Sequence, residues 1–381
     1  MRLLGLPLRT IVAAELVGAA LLLATDVSVL GGIVVVSLAA AVAVALVLPV
    51  GGLRLGSWLA TLIGYAARRR VFAAPPAAGT PAEVTLPDEV RALFPGIAAT
   101  EQVTRGAGRI GLLQWNGTWS CIVAVHATDP DVLQLGAAAR LPVERVLAAL
   151  AGAGLELDAV TVIAQSLAGD PERSAGGSLA AIAGELGAAG PLVRGRSTWV
   201  SIRIDPVAAG PAITARGGGA TGLGRLAAAA VGRVVSEAVA AGLAAEPLGA
   251  EAAGRAMAAA VLQPPAADGA AARWIESTTG VASAQVHHRC FGVTSWGDRS
   301  LTEVAVAGGF GLTVAHEVRG LGAGAPAEVR TVVRLSALSA SQLDRSATRL
   351  RRAARSAGVG IRTLRAQQAA AFRATVPGGQ R

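Results

Sequence analysis

From Val27 to Gly52 the chain runs for 26 residues without a charge, VSVLGGIVVVSLAAAVAVALVLPVGG. A bilayer is crossed by about 20 apolar residues, so this run predicts a transmembrane helix. A shorter apolar run, Thr10 to Thr25, stands just ahead of it with Asp26 as the one charge between them. Its direct continuation into the second run argues against a cleaved signal peptide and for a helical hairpin. Arg2 and Arg9 precede the pair, and Arg54, Arg68, Arg69 and Arg70 follow it. By the positive-inside rule both termini are expected in the cytoplasm, with only a few residues beyond the membrane. Trp58 and Tyr65 fall in an apolar stretch that ends in the triple Arg. Arg9, Arg54, Trp58, Tyr65, Arg68, Arg69 and Arg70 are therefore read as the membrane boundary. Glu15 lies inside the first run, where an ionised carboxylate costs about 2.5 kcal/mol or more at the bilayer centre. A protonated or snorkelling carboxyl near the cytoplasmic face is the favoured reading, and a proton-relay or partner-pairing group the second.

All 34 basic residues among the 381 are Arg, and Ala and Gly dominate the remainder, which reads first as GC-rich coding. The net charge of +9 favours anionic surfaces, membrane lipids among them, but it is spread along the chain and no nucleic acid is expected as a partner. Cys121 and Cys290 have no CxxC spacing and read as two isolated buried thiols. Residues 1–70 form the hairpin and juxtamembrane helix, 71–88 a Pro/Ala-rich linker, 89–374 a cytoplasmic α+β domain, and 375–381 a flexible tail. Within the domain, IGLLQWNGTWSCIVAV (Ile110–Val125) and FGVTSWGDRSLTEVAV (Phe291–Val306) align without gaps, each reading as a β-hairpin that turns after Trp115 or Trp296. A helix-then-strand pattern follows in both cases, so two similar halves are expected, 100–262 and 268–374. Mixed sheets with helices on one face complete the expectation.

Candidate chemistry is sparse. The run RGGGATGLG, Arg216 to Gly224, places glycines before a helix, as a phosphate loop does. It lacks the Lys of a Walker loop and the spacing of the dinucleotide fingerprint, and a strand-to-helix turn is expected. Asp129-Pro130-Asp131 imitates the metal-binding DxD of nucleotide-sugar transferases but equally makes an ordinary turn. His287 and His288 are neighbours that an extended strand sends to opposite faces, and with Cys290 they do not complete a metal site. His126 and His316 have no evident acidic partner, and no GxSxG marks a nucleophile. No catalytic residue, cofactor or metal is assigned. In the basic helix near Arg345, Leu343, Ala347, Leu350 and Ala354 make an apolar stripe, with Arg345, Arg349 and Arg352 on another face. Those arginines form either a solvated surface or a contact with an acidic partner or the membrane.

Taken together, WNGTWSCIVAV with Trp115, Gly117 and Trp119, STWVSIRIDP with Trp199, Arg203, Asp205 and Pro206, and RGGG with Arg216, Gly217, Gly218 and Gly219 resemble the EccE family in order and spacing. That family is a membrane component of the actinobacterial type VII (ESX-type) secretion system. RWIES and HHRCFGVTSWG, with Trp296, resemble it more loosely. Gly297 departs from the family's frequent Pro after that Trp. The resemblance implies a structural, non-catalytic subunit of the inner-membrane export complex, with EccB, EccC and EccD types as partners. The alternative is a membrane-anchored enzyme such as a nucleotide-sugar transferase.

Overall fold

The computed structural model describes residues 84–104, 108–127, 141–168, 193–262, 274–283, 286–296, 311–320 and 328–379, with short N-terminal pieces at 2–3, 6–7, 33–37, 39–40, 49–50 and 53–54. The chain divides into two units, Met1–Val71 and Phe72–Arg381.

In the first unit residues 33–37 and 39–40 are helical, within the long apolar run. Ile33 and Val34 are each 60% exposed. Pro49–Val50 is extended and pairs with Leu53–Arg54, so these two residues near the end of the apolar run are strand rather than helix. Arg54 thereby falls in a two-residue ladder. No helix among the described residues is long and apolar enough to cross a membrane. The first apolar run with Glu15, most of the second, and Arg9, Trp58, Tyr65, Arg68, Arg69 and Arg70 lie outside the described residues.

Among the described residues the second unit is built on one twelve-stranded sheet. In chain order its elements are α1 (Asp88–Leu93), β1 (Ala98–Thr104), β2 (Gly108–Trp115), β3 (Thr118–Ala127), α2 (Val143–Gly152), β4 (Ala159–Ala168), β5 (Val193–Ile204), α3 (Gly210–Thr214), α4 (Gly219–Ala240), β6 (Leu243–Pro247), α5 (Ala250–Val261), β7 (Ile275–Glu276), β8 (Val281–Ala282), β9 (His287–Ser295), β10 (Gly311–Arg319), β11 (Glu328–Ala337), α6 (Ala340–Ser356), β12 (Gly360–Thr363) and α7 (Gln368–Arg373). The strand order is β7-β8-β9-β11-β10-β4-β5-β3-β2-β1, with β6 added to β3 and β12 to β9. Every described ladder of the sheet is antiparallel, which replaces the expected mixed sheet. Strands that follow one another in the same direction are not neighbours: β5 lies between β3 and β4, and β11 between β9 and β10, each antiparallel to both.

Helices cover both faces, not one. Alternation along the strands explains why, since each central strand is apolar on both sides. In β3, Ile122 and Ala124 join a core with α1, α5 and α7, while Cys121, Val123 and Val125 join a core with α2, α3 and α4. In β10, Ala315 belongs to the first layer, and Leu312 and Val314 lie with α6 on the second.

The order reads alike in both directions from the β4–β10 ladder, whose register runs from Ala159↔Arg319 to Leu167↔Gly311. On one side β5 is inserted between β4 and the earlier β3, and α4, β6 and α5 follow. On the other β11 is inserted between β10 and the earlier β9, and α6, β12 and α7 follow. The gapless match of 110–125 with 291–306 sets β2 against β9, whereas the sheet puts β9 in the place held by β3. Residues 297–306 lie outside the described ones. Both ends of the domain extend past their expected limits. Leu86 is buried in the first layer although it falls in the region read as linker. At the C-terminus Val376 is fully buried and the Gly378 amide donates to Ser201 Oγ, so residues 375–379, read as a flexible tail, are packed.

Candidate functional site

The polar residues that the fold brings together form two buried groups on the first layer and one exposed surface on the second. At one end of the central ladder Arg203 of β5 reaches Asp158 with its Nε. Its Nη1 lies 3.0 Å from Glu317 Oε1 on β10. Arg319 Nη2 also lies 3.0 Å from Glu317. The side chains of Arg203 and Glu317 keep only 7% and 10% of their surface. The group ties β4, β5 and β10 across the ladder between the two sides of the sheet. An arginine held between two carboxylates neutralises charge but has no proton to exchange at neutral pH, which suits it to positioning rather than to acid–base chemistry.

Near the other end, Arg334 of β11 is fully buried, with no ion-paired carboxylate among the described residues. Its Nη2 donates to Ala260 O and to Thr313 Oγ1 at 3.0 Å, and its guanidinium stands 4.8 Å over the Phe372 ring. Burial brings its pKa down to about 10. His288 stacks on the same ring at 4.6 Å and shares a hydrogen bond of 2.9 Å with Ser336. Burial, then the charges of Arg334 and His287, hold His288 well below the usual imidazole range, so it is neutral at pH 7. The sheet sends His287 to the opposite face, as alternation requires. Among the described residues no three His, Cys, Asp or Glu stand close enough to hold a metal ion.

The tryptophans and glycines singled out in the sequence serve the fold. Asn116 and Gly117 both have positive φ, 49° and 77°, and close the two-residue β2–β3 turn, a geometry for which Asn-Gly is the preferred pair. Trp115 donates Nε1 to Pro95 O at 3.1 Å and meets Phe94 edge to face at 5.1 Å. Trp199 is buried in the first layer, and Trp119 packs half-buried against the second. Trp296 is 51% exposed, 5.6 Å from the His316 ring. Asp205 Oδ1 accepts the Val207 amide at 2.9 Å, shaping the turn through Pro206.

Gly217, Gly218 and Gly219 all have positive φ and reverse the chain from α3 into α4. The amides of Arg216, Gly217 and Gly218 already donate to Ile213 and Thr214 carbonyls. Arg216 Nη1 donates to Ala212 O, and its own carbonyl accepts Arg225 Nη1. These three amides are engaged inside the turn, which joins helix to helix where the sequence predicts a strand-to-helix turn. Asp129 and Asp131 lie outside the described residues.

On α6, Leu343, Ser346, Ala347, Leu350 and Ala354 are buried, while Arg345, Arg349 and Arg352 are exposed as their spacing predicts. Sequence reasoning missed the Arg203–Asp158–Glu317 contacts and the Arg334–His288 group. Their one visible signal is a charged or polar residue at an inward-alternating position of an apolar strand.

These features define an antiparallel α/β/α sandwich whose buried polar groups join strands and whose charged surface is a helix. Residues 192–293, spanning β5 to most of β9, match the family model described as "Putative type VII ESX secretion system translocon, EccE". The resemblance carried by STWVSIRIDP, RGGG and RWIES is thus shown over that stretch. No curated protein matches the chain. The comparisons give the nucleotide-sugar transferase reading no support.

Proposed function

We propose that the protein is a structural, non-catalytic subunit of a type VII secretion complex in the cell membrane. It would be held there by two N-terminal spans with both termini in the cytoplasm, beside EccB-, EccC- and EccD-type subunits. The observation that carries the reading is the family match across residues 192–293, which falls on the β5–α3–α4–β6–α5 segment at the centre of the soluble unit. Two further observations support it. The conspicuous polar residues of that segment, Arg203, Asp205 and Arg216, are engaged in holding strands and turns. In the N-terminal unit the helical residues Ile33 and Val34 expose apolar side chains, as lipid contact favours. The soluble unit is read as two similarly wound halves that meet at the β4–β10 ladder, a rigid scaffold for neighbours. Solubilising membranes in mild detergent and capturing the tagged chain tests the proposal: the other membrane subunits of the secretion system co-purify. Capture of a solitary monomer overturns it.

A further inference from the structure

Helix α6 carries five arginines, Arg345, Arg349, Arg351, Arg352 and Arg355, against one carboxylate, Asp344. That carboxylate is already neutralised by Arg289 of β9 at 2.9 Å. Among the described residues, none of the five arginines has an ion-pair partner. Arg351 is set in place by a 3.0 Å hydrogen bond to Thr363 Oγ1 and by the Phe291 ring at 5.4 Å. With Thr348, Arg352 and Arg355 it lines a shallow depression on the helix surface. The opposite face of α6 is locked into the core by Leu343, Ala347, Leu350 and Ala354.

We infer that the outer face of α6 is a docking surface for an acidic polypeptide segment of a partner protein. Uncompensated charge so concentrated on a well-packed helix adds nothing to its stability, because like charges one turn apart repel. The guanidinium fork matches a carboxylate bidentately, so a row of arginines one turn apart fits side-chain carboxylates spaced along an acidic chain. At 1.5 Å per residue this 17-residue helix is about 25 Å long, the reach of roughly eight residues of extended chain. A lipid surface fits less well. Helices that lie on membranes bury an apolar face among the acyl chains, and the apolar face of α6 is inside the protein.

The surface rests on the proposed function only for who the partner is. A fluorescein-labelled octaglutamate is titrated into the full-length chain in nonionic detergent and followed by anisotropy. The chain binds it, and the affinity falls steeply as salt is added. Replacing Arg345, Arg349, Arg352 and Arg355 by Gln weakens binding at least about tenfold, and the exposed pair Arg349→Gln with Arg352→Gln gives an intermediate loss. A control replaces Arg91, Arg109, Arg255 and Arg330 by Gln, removing the same charge elsewhere, and costs less than about threefold. Equal losses in the two variants, or no binding by the native chain, overturn the inference. So does an α6 variant that keeps the peptide but loses phosphatidylglycerol vesicles, an outcome that assigns the surface to lipid. Failed peptide binding with intact co-purification of subunits defeats this inference alone; the reverse defeats only the proposed function.

Discussion

Arg203 shows how a charge can be afforded inside a sheet. With its side chain 7% exposed, removing it leaves Asp158 and Glu317 with Arg319 as their one remaining cation, whereas removing Arg203 and Glu317 together leaves Asp158 and Arg319 balanced and a gap that apolar atoms can fill. Arg203→Ala is expected to lower stability by about 3–5 kcal/mol in urea unfolding of the purified chain, and Arg203→Met combined with Glu317→Leu by much less. His288 supplies a pH dependence. Its folded pKa lies below the unfolded value near 6.5, so as pH falls through that value the unfolded state takes up a proton that the folded state refuses. Stability contributed above that pH is therefore lost as acid is added, and His316, lowered by burial, acts in the same direction. The melting temperature should drop between about pH 6.5 and pH 5, and His288→Gln should flatten the slope.

At the scale of elements, α4 separates glycines that the fold requires from one it tolerates. A Cβ at Gly222 would strike the Ile213 carbonyl, where α3 turns back onto α4, while a Cβ at Gly232 meets nothing within 4 Å. Gly222→Ala is expected to cost about 1–3 kcal/mol, and Gly232→Ala to stabilise by about 0.5–1 kcal/mol, both read from thermal unfolding. Much of the element order was legible because it rests on local signals: Asn116-Gly117 for a hairpin, the 3.6-residue stripe of α6, and alternation in Ser197–Asp205. The layers were not. Strands such as β4, Ala159–Ala168, are apolar on both sides, and that pattern cannot say whether one helix layer or two will cover them, nor which distant strand pairs with which. The Arg203–Glu317 contact spans 114 positions, and it exists only because β10 lies against β4.

At the scale of the whole molecule, the charge of the chain and its architecture point the same way. Buried polar groups hold the β4–β10 centre together, and the arginines of α6 face outward. A scaffold of the kind proposed would act through what it is bound to, so the account stands or falls on company. The most direct measurement is quantitative mass spectrometry of the native-detergent complex captured through this chain. The account predicts an ATPase-bearing subunit and the other membrane components of a type VII system in fixed proportion to it, with the proportion falling when Arg345, Arg349, Arg352 and Arg355 are changed to Gln. Recovery of the chain alone, from membranes in which those subunits are present, would contradict it.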